Sequence, residues 1–193
     1  MLTHQEPVRI EYLGIRQGNW VDTSYIPYGA SEVIEGKIHL IGYPTTTNHA
    51  QWFAAVTNTN SRSYRIIRGT NDGQIIVNNY QNDNKSTTIN RSVVGITNEF
   101  TLSNAKLIIN GSTYSLKSSS GTQVTTPLHI GDNVPQRGIN ENVYYFRITN
   151  NNIVKLDLLP YRIGSKGYLY DTVSDTFFGN GGTVPFVLGP DIT

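Results

Sequence analysis

The sequence predicts an all-β protein, a two-sheet antiparallel jelly-roll sandwich. Tyrosine and β-branched residues dominate the periodic segments of the chain, which contains 12 tyrosines, and residues of these kinds favour strands. No helical repeat of apolar residues extends beyond about ten residues. Short apolar segments recur at intervals of roughly 8 to 15 residues, with polar turn-forming residues between them, which is typical of a sandwich or jelly roll.

Length and composition limit the class of protein further. The chain has 193 residues and we expect a single domain, residues 1–193, because all-β domains of about 200 residues are common. Lys plus Arg is 15 and Asp plus Glu is 14, and this near-neutral balance argues against nucleic acid as a partner. The absence of cysteine excludes disulfides and thiolate metal sites. No apolar run is long enough to span a membrane, and the first residues do not resemble a signal peptide.

The strands are predicted from alternating apolar and polar residues and from short apolar runs. They cover residues 8–13, 20–22, 32–41, 51–56, 64–68, 74–77, 86–89, 99–102, 106–109, 112–116, 127–131, 143–149 and 153–159. A closing hairpin follows, whose two apolar runs are separated by residues 172–175.

Turn residues define several boundaries between these strands. Asn110-Gly111 predicts a two-residue hairpin, and residues 150–152 predict a tight turn between two long strands. Gly36 is expected to form a bulge within its strand. Pro160 is expected to end its strand, because proline has no N–H to donate to a sheet.

Both ends of the chain carry motifs of a known family. The closing motifs are Leu159-Pro160-Tyr161-Arg162, Leu169-Tyr170-Asp171-Thr172-Val173, Phe177-Phe178-Gly179-Asn180-Gly181-Gly182-Thr183, Phe186 and Gly189-Pro190, and the opening motifs are Glu11-Tyr12-Leu13 and Gly18-Asn19-Trp20-Val21-Asp22-Thr23. With these motifs the chain resembles the concanavalin A-like, laminin-G-like jelly-roll domains of phage virion proteins and bacterial surface proteins. Trp20 stands where the family has a tyrosine, and Ser24 where it has a glycine.

The resemblance implies a fold in which the first strands pair near the last and Tyr170, Phe178 and Phe186 lie in the core. It also implies a non-enzymatic phage-type virion or surface module that adheres to a glycan or a host-surface receptor. A structural capsid or tail component that binds other virion subunits is the first alternative, and a glycan hydrolase is the second. The expected location is the virion, or the extracellular surface for a bacterial protein, and a homo-oligomer is possible.

A glycan hydrolase would need two carboxylates that face one cleft. Glu32 and Glu35 are three residues apart, which places them on opposite faces of a strand. Asp171 and Asp175 are four apart, but Asp175 lies in a predicted turn. Solvated carboxylates and turn residues explain these acids, so the sequence predicts no catalytic residue and no enzyme.

No metal or cofactor is expected. The four histidines lack the spacing of a zinc site; they are His4, His39, His49 and His129. The oxygen-rich loops at residues 71–73 and 82–84 lack the repeated acids of an EF-hand, and turn formation explains them more simply than calcium.

A glycan site is predicted where aromatic and amide side chains meet in polar loops. Sugar rings stack on aromatic faces, and amides bind their hydroxyl groups. The predicted ligand-binding residues are Tyr43, Asn79, Tyr80 and Asn82. Trp20 and Trp52 lie in strands, so both are expected to pack in the core.

Overall fold

A computed structural model describes residues 5–28, 31–42, 50–56, 63–68, 73–81, 86–117, 124–133 and 139–193. These residues form strands, turns and irregular segments. Within this part of the chain no helix is long and apolar enough to cross a membrane. The prediction of an all-β fold is confirmed, whereas the single-domain organisation stays a prediction.

Seventeen strands are present in the described part of the chain. They are β1 (Pro7–Arg9), β2 (Leu13–Ile15), β3 (Val21–Asp22), β4 (Glu32–Gly42), β5 (Gln51–Val56), β6 (Ser63–Arg68), β7 (Gln74–Gln81), β8 (Thr87–Asn90), β9 (Thr97–Leu102), β10 (Lys106–Ile109), β11 (Ser112–Ser115), β12 (His129–Ile130), β13 (Asn140–Asn150), β14 (Ile153–Ile163), β15 (Lys166–Asp171), β16 (Thr176–Phe178) and β17 (Val187–Leu188).

The strands form two antiparallel sheets that make a β-sandwich. The large sheet has the order β11-β10-β9-β4-β13-β14-β15-β16, and in addition β1 pairs with β14 while β2 pairs with β13 and β17. The small sheet has the order β3-β12-β5-β6-β7-β8. The first strands therefore pair with the last ones, as expected, since β1 contacts β14 and β2 contacts β17.

The core lies between the sheets and has an aromatic centre. Phe53 of the small sheet stacks on Phe100 of the large sheet at a ring-centroid distance of 5.9 Å, and meets Phe146 edge-on at 5.2 Å. A Cβ atom on Gly36 would lie 2.7 Å from the ring of Phe100. Gly36 thus makes room for this ring, and the prediction of a bulge at Gly36 is wrong. A bulge lies instead in β13, the strand paired with β4, between Val143 and Tyr145.

Two predicted turns are confirmed by their backbone conformation. Asn110 and Gly111 have φ values of 47° and 77°, and they join β10 to β11. Asn151 and Asn152 have φ values of 49° and 61°, and they join β13 to β14. Positive φ at both central positions is characteristic of the type I′ turn, whose twist matches that of the flanking strands. The closing hairpin of β15 and β16 is also confirmed.

Pro160 does not end its strand, contrary to the prediction. β14 continues through it to Ile163, and Pro160 lies opposite Leu169 of β15. The carbonyl of Pro160 accepts a hydrogen bond from the N–H of Ile10 at 3.1 Å. Because the N and C=O of one strand residue point to the same side, the missing N–H faces Ile10, so the ladder with β15 loses no hydrogen bond.

The predicted core positions are partly correct. Phe178 is 9% exposed and belongs to the core, while Phe186 is half-buried against it. Tyr170 lies on the opposite face of the large sheet, because side chains alternate and its neighbours Leu169 and Asp171 point inward. Its placement in the core was wrong.

Of the two tryptophans, one lies in the core and the other lies outside it. Trp52 is buried in the core, as predicted. The prediction that Trp20 packs in the core is wrong, because Trp20 is not among the core residues and its indole Nε1 donates a hydrogen bond to Asp22 Oδ2 at 2.8 Å.

Other residues of the family-like motifs have structural roles. The buried carboxylate of Asp171 accepts hydrogen bonds from the backbone N–H groups of Asp157 and Val173, at 2.8 and 3.2 Å. Arg162 binds both carboxylate oxygens of Asp191, at 2.7 and 2.6 Å. A Cβ atom on Gly182 would lie 2.2 Å from the backbone oxygen of Gly18. Arg162 and Gly182 thus connect segments near the two ends of the chain, and Asp171 connects β14 to the turn after β15.

Candidate functional site

The face of the large sheet that points away from the core, called the outer face here, has the composition of a binding surface. Alternation along the strands places these side chains on it, at positions set by the register with neighbouring strands. Its residues are Arg9, Glu35, Lys37, Tyr144, Tyr145, Arg147, Asp157, Leu159, Tyr161, Tyr168, Tyr170 and Phe177.

A groove of about 400 Å³ lies in this face. It is lined by Arg9, Glu35, Tyr144, Tyr145, Arg147, Asp157 and Leu159. The bulge in β13 explains why two consecutive tyrosines line the same groove, since one extra residue in a strand interrupts the alternation of side chains. The groove therefore combines aromatic surface with charged groups of both signs.

The two tyrosines of the groove are held by contacts on the sheet. The hydroxyl of Tyr145 donates to Glu99 Oε1 at 3.2 Å, and burial together with the neighbouring Glu99 raises the pKa of Tyr145 to about 12. The ring of Tyr144 lies 5.7 Å from that of Tyr12, and the ammonium of Lys37 lies 5.4 Å from its centroid. These contacts orient the rings before any ligand binds.

The charged groups of the groove fall into two classes. Arg147 is fixed, because its Nε and Nη2 donate to both oxygens of Asp157 at 3.1 and 3.0 Å, and these hydrogen bonds raise its pKa. The side chains of Arg9 and Glu35 form no hydrogen bond or ion pair with another described residue. One guanidinium and one carboxylate therefore remain available to a ligand.

An aromatic cluster continues this surface toward β16. Tyr170 contacts both Tyr161 and Phe177, at ring-centroid distances of 5.2 and 4.7 Å. Tyr168 meets Phe177 edge-on at 5.8 Å. The hydroxyl of Tyr170 donates to Asp175 at 2.6 Å, and this bond raises its pKa. Four aromatic side chains thus extend the outer face beside the groove.

The glycan site predicted from the sequence cannot be placed on this surface. Tyr43 and Asn82 lie outside the described residues, and Asn79 and Tyr80 belong to β7, where the described part excludes their side chains. The carboxylate predictions can be compared with the structure. Glu32 points inward and Glu35 outward, as expected, while Asp171 is engaged in backbone hydrogen bonds. Among the described residues, no group of three or more histidine, cysteine, aspartate or glutamate side chains could hold a metal ion.

Three buried titratable side chains were missed by sequence analysis, namely Glu141, His129 and Asp132. Glu141 in β13 is fully buried, and neither of its carboxylate oxygens has a hydrogen-bond partner among the described residues. Burial raises its pKa well above the usual range, although Arg16 acts in the opposite direction. The alternation of Ile139, Glu141 and Val143 could have indicated an inward-facing carboxyl group.

The second missed side chain is His129 in β12. It is 5% exposed, and its Nε2 lies 3.0 Å from Oε1 of Gln51. Burial lowers its pKa to about 4, against the influence of Asp22, so the imidazole is neutral at pH 7. No local pattern marks this residue, because its partners come from strands far away in the sequence.

No protein family matches the chain, and no curated protein matches it. A solved structure of similar fold is a crystal structure of Scytalido-glutamic peptidase with a peptide-based transition-state analogue. The TM-score is 0.43 at 11% sequence identity, and the match covers 90% of this chain and 100% of the peptidase chain.

This comparison corrects the function predicted from the sequence. The neighbour is a peptidase and not a virion or surface module, so the prediction of a non-enzymatic virion or surface module that adheres to a glycan is withdrawn. Viral origin, carbohydrate binding and adhesion find no support in the fold or in the comparisons. At this TM-score the peptidase's own activity is not transferred to the chain either.

Proposed function

We propose that the chain is a polypeptide-recognition protein and that it binds a segment of a protein partner on the outer face of the large sheet. The observation that carries the proposal is the groove beside the aromatic cluster. Tyrosine, phenylalanine and arginine are enriched at the centres of protein–protein interfaces, and they provide many of the residues with large effects on affinity. The outer face combines all three within one connected surface.

The charges of the groove favour a polypeptide over a nucleic acid. A nucleic-acid site presents an excess of positive charge, whereas the groove contains two arginines and two carboxylates. Arg9 and Glu35 suit a ligand that presents both an anion and a cation, such as two oppositely charged side chains of one peptide. The Arg147–Asp157 pair, joined by two hydrogen bonds, forms a polar wall of the groove between β13 and β14. The proposal concerns binding, and the prediction that the chain is not an enzyme stays a prediction.

We also infer that the sandwich is a jelly roll of the concanavalin A-like, laminin-G-like type. The pairing of β1 with β14 and of β2 with β17 supports this inference, because such a fold brings the two ends of the chain together. The structural roles of Asp171, Arg162 and Gly182 support it as well, since these residues belong to the motifs that carry the resemblance.

A peptide array tests the proposed function. The purified chain should bind a subset of random peptides, and the positive peptides should be enriched in sequences with charges of both signs. Tyr145→Ala should weaken binding of a selected peptide about tenfold or more, corresponding to ~1.4 kcal/mol, as for a central interface residue. Tyr28→Ala is the matched control, because Tyr28 is 69% exposed and does not line the groove.

The same array can contradict the proposal. If no peptide binds saturably, or if Tyr145→Ala and Tyr28→Ala bind equally well, the outer face is not the recognition surface. A second copy of this chain is one form that the partner could take. Analytical ultracentrifugation would then show a dimer for the wild type and a monomer for Tyr145→Ala.

A further inference from the structure

We propose a second binding site, for a small primary ammonium ion, in a cavity beside the edge of the small sheet. The cavity has a volume of about 310 Å³ and is lined by Asp22, Thr23, Thr126, Pro127, His129 and Asn133. It is separate from the groove of the large sheet, with which it shares no lining residue. The site is built from β3 and β12 and from the residues that flank β12.

Sheet register brings the two principal groups together. His129 lies directly opposite Asp22 in the antiparallel pair of β12 and β3, so both side chains are on the same face. This face points away from the core, since the next residue, Ile130, belongs to the core cluster. A carboxylate and an imidazole therefore share one wall of the cavity, although 106 residues separate them in the sequence.

Both groups present hydrogen-bond acceptors to the cavity. The imidazole of His129 is neutral, and its Nε2 forms a hydrogen bond with Oε1 of Gln51 at 3.0 Å. With Nε2 as the donor, the other ring nitrogen, Nδ1, carries a lone pair and has no hydrogen-bond partner in the described part of the chain. Asp22 uses Oδ2 to accept from Trp20, and its Oδ1 accepts no hydrogen bond from a described residue.

The remaining lining groups do not supply a positive charge. Thr23 is already engaged, since its Oγ1 donates to the carbonyl of Leu128 at 2.7 Å and accepts from the N–H of Tyr25 at 3.2 Å. Asp22 is the charged side chain among the six that line the cavity. A ligand that fits must therefore be a cation with N–H donors, and an ammonium group can donate to the carboxylate and to the imidazole at the same time.

The size and the walls of the cavity agree with a short alkyl ammonium ion. A water molecule occupies about 30 Å³ in the liquid, so 310 Å³ accommodates an ammonium group with a short alkyl chain. Pro127 and the methyl group of Thr126 provide apolar surface for that chain. A lysine side chain, a polyamine and a free amine share this chemistry, and n-butylammonium represents the shared group.

Titration with n-butylammonium chloride, followed by NMR of the His129 imidazole, tests the proposal. We expect saturable shifts of the His129 resonances at constant ionic strength and pH 7.5. Tetramethylammonium chloride has the same charge but no N–H donor, and it should cause no saturable shift. Asp22→Asn should weaken n-butylammonium binding about tenfold, whereas Glu6→Gln, which removes an exposed acid elsewhere, should leave binding unchanged.

Three outcomes would overturn the proposal. These are the absence of a saturable shift up to high millimolar n-butylammonium, equal binding of tetramethylammonium, and equal affinity of the Asp22→Asn and wild-type proteins. Asp22 is exposed on an edge strand, so Asp22→Asn is expected to fold, and Asp22→Ser is a second variant with the same expected loss. Because the site shares no residue with the groove, its failure leaves the peptide-array result unaffected.

Discussion

At the scale of single residues, the interior contains a carboxyl group that opposes folding at neutral pH. Glu141 is fully buried, and desolvation raises its pKa above that of an ordinary carboxyl group more than Arg16 lowers it. The unfolded chain loses this proton near pH 4.5, while the folded chain keeps it to a higher pH. Between pH 4.5 and the higher pKa of Glu141 in the folded protein, the folded state binds more protons than the unfolded state. The free energy of unfolding therefore falls as the pH rises, by up to about 1.4 kcal/mol per pH unit.

The variant Glu141→Gln should therefore be more stable than the wild type at pH 8, because glutamine has the same shape and no charge. Its stability should also lack the decrease between pH 5 and pH 8. Urea unfolding at both pH values measures this difference. Glu11→Gln, at an exposed position, is the control and should behave like the wild type. A Glu141→Gln protein that is less stable than the wild type at pH 8 would contradict the prediction.

His129 should produce a pH dependence of the opposite sign. Its pKa is lowered from 6.5 to about 4 by burial. Between these two pKa values the unfolded chain binds the proton and the folded chain does not. The contribution of His129 to the free energy of unfolding is therefore present above pH 6.5 and is lost as the pH falls toward 4. The loss between pH 7 and pH 5 is about 2 kcal/mol. His129→Gln should remove it, whereas His39→Gln, on the outer face, should retain it in urea unfolding at the two pH values. If the free energy of unfolding changed equally with pH in the two variants, His129 would not be the source of the pH dependence.

At the scale of elements, β16 places one phenylalanine on each face of the large sheet. Phe178 points into the core and Phe177 lies in the aromatic cluster on the outer face. Phe178→Ala should reduce the free energy of unfolding by about 3 to 5 kcal/mol, through lost burial and a cavity. Phe177→Ala removes the same atoms from a half-exposed position, so its cost should be clearly smaller. Thermal or urea unfolding of the two variants measures both values, and equal costs would mean that the strand is rotated.

At the scale of the whole molecule, the two ends of the chain are joined to each other in the large sheet. β17 pairs with β2, and backbone hydrogen bonds join Glu11 to Pro190 at 2.8 Å, Gly189 to Tyr12 at 3.0 Å and Ile192 to Arg9 at 3.0 Å. Deletion of residues 187–193 removes these bonds, and at about 1 kcal/mol each the loss should be ~3 kcal/mol or more. Deletion of Thr193 alone is the control and should have no effect. A melting temperature that is the same for both deletions would show that the tail is dispensable.

The sequence by itself determined the local structure of this protein. Strand periodicity, the Asn110-Gly111 and Asn151-Asn152 turns and the closing hairpin depend on a few neighbouring residues, so they could be predicted. The position of Pro160 within its strand depended on which neighbouring strand its missing N–H faces. The position of Tyr170 outside the core depended on which face of the large sheet its side chain occupies. That information is not local, and both predictions were wrong.

Only the tertiary structure decided where the candidate sites lie. The groove arises because a bulge in β13 turns two tyrosines toward Arg9 of β1, Glu35 of β4 and Asp157 of β14. The ammonium cavity arises because residues 22 and 129 become partners across a sheet. Such neighbours are set by long-range register, in which a shift of one residue reverses the face of every side chain. The residue types could be seen in the sequence. Their proximity in space could not, because the register of the strands is fixed by the packing of the whole sandwich.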